Sequence, residues 1–194
     1  MMIEWQAPIL GVNRIKDDIE DYSSWIVDGI GYWRLVDGDR KRSYGLTGHD
    51  FEHSGQQYAF IVFNPQDLGA DVNTSEAANF KAYSGEQYLA CFSAVGGKND
   101  DWLISLELSG DEQTIEFYVK NIATGAGSYV EEFEVAVSET GRQLGNFKII
   151  TPTPIKVTNE WMAYSFNLSV GTKNFVIHVV SDDQFALFVD DICY

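Results

Sequence analysis

The stretch T-I-E-F-Y-V-K, Thr114 to Lys120, alternates apolar and polar residues without a break. Ile115, Phe117 and Val119 fall on one side of an extended chain, and Glu116, Tyr118 and Lys120 on the other. A period of two belongs to a strand with one face in a core. The alternation returns in Phe133, Val135 and Val137 against Glu132, Glu134 and Ser138, and in Tyr164, Phe166 and Leu168 against Ala163, Ser165 and Asn167. Working outward, strand-sized runs lie at Tyr32 to Asp37, Tyr58 to Phe63, Gln87 to Ser93, Trp102 to Leu108, Lys173 to Ser181 and Phe185 to Ile192, giving about nine or ten strands. Turn clusters separate them, among them Val36-Asp37-Gly38-Asp39, Gly96-Gly97-Lys98-Asn99 and Ser109-Gly110-Asp111. Short helices are expected only at Ile15 to Tyr22 and Ser75 to Phe80. Without α/β alternation or an internal repeat, the reading is all-β: a two-sheet antiparallel β-sandwich of the jelly-roll kind. Residues 1–16 read as an N-terminal leader segment and residues 17–194 as one jelly-roll domain.

Composition agrees with one sizeable core, since the 194 residues are 45% hydrophobic and 14% aromatic. The 13 Lys+Arg stand against 29 Asp+Glu, a formal net charge of -16. Such a field repels phosphate backbones and anionic lipid, which argues against nucleic-acid partners, and it draws cations, calcium included. The longest apolar runs are strand-sized, far from the roughly 18 residues of a membrane-inserted helix. Cys91 and Cys193 have no metal or redox spacing and read as buried free thiols, or as a disulfide if the chain is exported.

The search for catalytic chemistry returns little. His49-Asp50-Phe51-Glu52-His53 places two imidazoles four residues apart, but the H-E-x-x-H order fails and Gly48, Ser54 and Gly55 indicate a loop. His178 sits within a strand run. No nucleophile elbow or phosphate loop is present, so the chain reads as a non-enzyme. The acids are more specific: Glu20-Asp21, the Asp37-Gly38-Asp39 turn, and Asp190-Asp191 inside an otherwise apolar strand. Adjacent carboxylates in a core strand are costly unless solvated or neutralised. Calcium, with its six to eight oxygen ligands, would neutralise them; alternatively Asp37 and Asp39 shape a turn and Asp190-Asp191 is a solvated edge. Among the aromatics, Trp33, Trp102 and Trp161 begin strands and read as core, while Trp25 and Tyr44 read as exposed and able to meet a ligand such as a sugar ring.

In order along the chain, Ile19-Glu20-Asp21-Tyr22, WRLVDGDRKRSYG (Trp33 to Gly45), AFIVFNP (Ala59 to Pro65), AYSGEQYLA (Ala82 to Ala90), NDDWLISLEL (Asn99 to Leu108), TIEFYV (Thr114 to Val119) and EFEVAVSETG (Glu132 to Gly141) lead into Trp161 to Leu168, Gly171 to Ser181 and LFVDDI (Leu187 to Ile192). In these pieces the chain resembles the cleaved adhesin domains of gingipain-type haemagglutinins and, more closely, the choice-of-anchor J, or MAM-like, jelly-roll modules of bacterial surface proteins. It departs from them at Leu106, where the family usually carries a proline. The resemblance implies a calcium-bearing, non-catalytic adhesion module that is secreted or displayed on the outer cell surface, a monomeric part of a larger protein. Its partner would be a host or matrix protein or a glycan; a carbohydrate-binding module is the alternative, with a glycoside-active enzyme that uses two carboxylates a distant third. By position it implies Glu20, Asp37, Asp39, Asp190 and Asp191 as calcium ligands, sharing one ion that fastens the first and last strands.

Overall fold

The computed structural model describes residues 14–69, 80–122 and 129–194. Twelve strands form two antiparallel sheets: β1 (Lys16–Asp17), β2 (Arg34–Asp37), β3 (Ile61–Phe63), β4 (Tyr88–Phe92), β5 (Asp101–Ile104), β6 (Gln113–Asn121), β7 (Glu132–Ser138), β8 (Lys148–Ile149), β9 (Ile155–Lys156), β10 (Met162–Leu168), β11 (Asn174–Val179) and β12 (Ala186–Cys193). One sheet runs β10-β6-β12-β4-β3 with β1 added on β12; the other runs β2-β5-β11-β7-β8 with β9 added on β7. This is the sandwich expected from the alternation.

The face of β6 that carries Ile115, Phe117 and Val119 is fully buried against Phe133, Val135, Phe175 and Ile177 of the second sheet. Phe117 meets Phe133 with ring centroids 5.9 Å apart, and Phe133 meets Tyr164 of β10 edge-on at 5.1 Å. A second apolar cluster lies on the outer face of the first sheet, where Phe63, Tyr88, Phe92 and Phe188 are covered by Phe51 and Trp25. β3, β4 and the start of β12 are therefore buried on both faces, which is why their sequences are unbroken apolar runs rather than alternating ones. A smaller cluster of Ile104, Ala136 and Val176 lies under Phe147 and Leu144 on the outside of the second sheet.

The helix expected at Ile15 to Tyr22 is not formed. Ile15 and Tyr194 exchange backbone hydrogen bonds, Lys16 and Asp17 pair with Cys193 and Ile192, and the chain then turns. Asp17 accepts from the amide of Ile19, and Ile19 has a φ of 67°, which a helix does not admit. The helix expected at Ser75 to Phe80 lies, except for Phe80, outside the described residues. Helical structure among the described residues is limited to single 3₁₀ turns at Pro65–Leu68 and Leu144–Asn146. Both thiols are free; Cys91 is buried in β4, whereas Cys193 in β12, also read as buried, is only half-buried.

Candidate metal centre and neighbouring surfaces

The Asp37-Gly38-Asp39 turn leaves the end of β2, and the β2–β5 register sets Asp37 directly opposite Asp101. Gly38 is needed by close approach rather than by dihedral angle. Its amide donates to Asp100 O at 2.7 Å, and a Cβ there would also lie 2.7 Å from that oxygen. Asp39 Oδ2 accepts from the amide of Asp100 and Oδ1 from that of Lys41, while Asp37 Oδ1 accepts from the amide of Arg40. These bonds fold three carboxylates into one place: Asp37, Asp39 and Asp101 each offer an oxygen, all within 4.8 Å of one another.

The group is incompletely satisfied. Asp37 Oδ2 is buried and has no hydrogen-bond partner among the described residues. Asp101 is 3% exposed; burial, followed by the charges of Asp39 and Asp37, pushes its carboxyl up to about 8. Asp101 Oδ2 accepts from Asn99 Nδ2 at 2.6 Å and from the Cys91 thiol at 3.4 Å. Burial and the carboxylates beside it push that thiol well up, so it remains a neutral donor rather than a soft ligand. Three all-oxygen carboxyl groups with an orphaned oxygen suit a hard cation of the calcium type, which would displace the proton on Asp101, better than a zinc-like one.

The five acids read from sequence as one ligand set occupy two places. Asp37 and Asp39 are in the group just described, with Asp101, which the sequence reading passed over. Glu20, Asp190 and Asp191 instead hold the turn before β4. Glu20 Oε1 accepts from the amides of Glu86 and Gln87. Asp190 Oδ2 accepts from the amides of Tyr83 and Ser84, and Asp191 Oδ1 accepts from Ser84 Oγ and lies 3.2 Å from Lys16 Nζ. A regular strand would send Asp190 and Asp191 to opposite faces. Here the register with β6 shifts between Asp190 and Cys193 and Asp191 takes a φ of 48°, so both reach the same turn. Asp190 is fully buried, and burial pushes it up to about 7.

Of the aromatics read as exposed, Trp25 stacks on Phe51 at 5.1 Å and packs edge-on to Phe63, so it belongs to the second cluster. Tyr44 is half-buried and donates to Asp183. The sequence missed Tyr83, 42% exposed and stacked on Tyr118 with centroids 3.5 Å apart; Tyr118 shows as an outward residue of β6, but Tyr83 lies in a turn that no periodicity marks. His49 and His53 lie in a run of turns, where His53 Nδ1 faces Gln56, not in a helix that would align them. His178 lies flat on Trp102 at 3.9 Å with Nε2 2.8 Å from Asp100 and Nδ1 3.7 Å from Glu134. Burial outweighs these carboxylates and pushes the imidazole down. Both ring nitrogens face acids rather than a nucleophile.

Fold and surfaces together define the class as a jelly-roll sandwich with an acid-lined end. Within that class the chain is similar to the K2 cleaved adhesin domain of Lys-gingipain, with a TM-score of 0.68 and 17% identity over 94% of this chain and 98% of that one. The K1 domain from Porphyromonas gingivalis W83 gives 0.59 and 20% over 93% and 96%, and the K3 domain from the same source 0.59 and 17% over 92% and 95%. No family model matches the chain, and no curated protein does. The structural neighbours thus share the fold that the sequence resemblance implied.

Proposed function

We propose that the protein is a non-catalytic adhesion or binding module, stabilised at one end of its sandwich by calcium bound to Asp37, Asp39 and Asp101. The observation that carries the reading is the likeness in fold, along more than nine-tenths of the chain, to domains whose names mark them as adhesins. Because one sandwich hosts many partners, the fold supports the class and not the ligand. The calcium part rests on the orphaned Asp37 Oδ2 and on the buried Asp101. The module is proposed to act as a secreted or surface-displayed monomeric unit of a larger protein, with a matrix protein or a glycan as its partner. The saccharide alternative draws on Tyr83, exposed and stacked on Tyr118, as an aromatic surface for a sugar ring.

The test is a binding screen of the purified domain against glycan and matrix-protein arrays, in calcium and in excess chelator. A saturable ligand, together with a lower melting temperature of the domain in chelator, is the expected result. A folded domain that binds nothing on either array overturns the adhesion reading.

A further inference from the structure

Between β1, the turn that follows it and the Tyr32-Trp33 segment lies a cavity of about 370 Å³. Its aromatic walls are Tyr22, Tyr32, Trp33 and Tyr194, and it also carries the carboxylates of Asp17, Asp18 and Asp21. The floor is rigid. Asp17 Oδ2 accepts from Tyr22 Oη and from Trp33 Nε1, each at 2.7 Å. Tyr32 is 79% exposed at the rim. Tyr194 is 6% exposed, lines the cavity, and its hydroxyl makes no hydrogen bond with any described residue. Burial and then the charge of Asp17 push Tyr194 up to about 12, so it stays a neutral hydroxyl with a lone pair to offer.

We infer that this cavity receives an arginine side chain from a basic segment of a partner protein. The inference rests on the binding-module reading and names its partner class, but it is independent of calcium, since none of the cavity residues is in the Asp37 group. The chemistry is complementary at each wall. Aromatic faces attract a cation, and a guanidinium stacks on rings while its fork of N–H donors meets carboxylates. Two cations stand at the cavity among the described residues: Lys16, one of its lining residues, has its ammonium 3.2 Å from Asp191 and 3.8 Å from Asp18, and Arg142 donates to the backbone oxygen of Tyr32, so neither is paired with Asp21. A neutral sugar would leave Asp21 without an opposite charge, whereas Asp17 is already held by three hydrogen bonds and Asp18 lies beside Lys16. The size is at the small end of ligand pockets, roughly 300–1,000 Å³, enough for one side chain rather than a folded surface. Exposed Ile15 and Tyr32 beside the mouth give apolar shoulders that the residues flanking an arginine would cover and that a free polyamine would leave bare. The net charge of -16 steers a basic partner toward the module.

The test uses a blocked Gly-Ser-Arg-Ser-Gly peptide and its counterpart with citrulline, which keeps the shape and loses the charge, titrated into the isotopically labelled domain. The expected result is a saturable shift of the Trp33 indole N–H resonance with the arginine peptide. Replacing arginine by citrulline, Tyr32→Ala or Asp21→Asn should each weaken binding by roughly tenfold, about 1.4 kcal/mol. Tyr32 and Asp21 are exposed, so these variants keep the fold, and Tyr194→Phe, which keeps the buried ring, should weaken binding several-fold. Equal binding of the two peptides, an unmoved Trp33 resonance at saturation, or unchanged affinity in Tyr32→Ala overturns the inference. If the peptide fails while an array ligand still binds, the inference alone falls; if both fail, the binding-module reading falls with it. The arginine response should be the same in calcium and in chelator, and its loss in chelator would also overturn the placement.

Discussion

Replacing Asp101 with asparagine should abolish the response of this domain to calcium. Its carboxylate is the most buried of three whose oxygens lie within 4.8 Å of one another. Two unit charges at that separation repel by roughly 3 kcal/mol at an effective dielectric near 20. The free protein relieves this by keeping Asp101 protonated, at about 8. A cation must displace that proton, so its apparent affinity should rise about tenfold for each pH unit up to about pH 8 and then level off. Calcium at about 100 times its Kd adds roughly 2.7 kcal/mol to the folded state, which for a domain of this size raises Tm by about 5–10 °C. In chelator the sign is opposite: a carboxyl raised in the folded state favours folding below its unfolded value near 4, and that advantage is lost as pH rises through about 8. The assay is thermal unfolding of wild type, Asp101→Asn and Asp190→Asn in calcium and in chelator at about pH 6 and about pH 9. Wild type and Asp190→Asn should show a calcium-dependent Tm that grows with pH, and Asp101→Asn should show none. Identical wild-type melting in calcium and chelator at the higher pH would refute the metal centre. A full calcium response in Asp101→Asn would refute its ligand set.

Phe117→Ala, at a fully buried ring packed on Phe133 and Phe166, should cost roughly 3–5 kcal/mol in denaturant unfolding, and a near-neutral effect would contradict the strand facing. Gly38→Ala forces a Cβ against Asp100, so it should lower Tm and weaken the calcium response together; wild-type values for both would count against the close approach. Asp190, raised in the folded state from the usual 3.8 to about 7, favours folding at low pH and loses up to about 4 kcal/mol of that advantage as pH rises through 7, so Asp190→Asn should gain stability relative to wild type between pH 5 and 8. An unchanged difference across that range would show the carboxyl to be ionised throughout. Trp25→Ala should lower stability by about 2 kcal/mol through the second cluster and leave array binding intact, since its ring is packed on Phe51 and Phe63.

The strands whose two faces differ were legible residue by residue. β10 and most of β6 and β7 carry their buried and outward positions in a period of two, because one face meets the core; the period breaks toward the ends of β6 and β7, where Lys120 and Ser138, read as outward, are buried and Val137, read as core, is half-buried. The two-residue strands β1, β8 and β9 are too short to show any period. His178, on the outward side of β11, is buried because Trp102 and neighbouring side chains cover that face, and a cover contributed by distant segments leaves no local mark. The acid site was half legible. The Asp-Gly-Asp turn announces two carboxylates, but Asp101 joins them only through the β2–β5 register, a pairing between residues far apart in the chain. The Asp190-Asp191 pair pointed to a real departure from a regular strand. Its cause is a bulge that gives both carboxylates to the amides of a turn, and no spacing rule distinguishes that from a ligand pair.

β12, the final strand, lies in the middle of its sheet, between β4 and β6. On a chain made from its N-terminus, β3 with β4 and β10 with β6 can form as separate ribbons, but nothing joins them until Ala186 to Cys193 has been released. Most of the inter-sheet core therefore has to wait for the last strand. Such a domain stays pliable while it is being synthesised and closes late, through contacts between residues distant in sequence, which slows folding. A protein threaded unfolded across a membrane gains from that delay. The same delay leaves two incomplete ribbons with open edges, so a shortened chain ending before Ala186 should pair with its neighbours and aggregate.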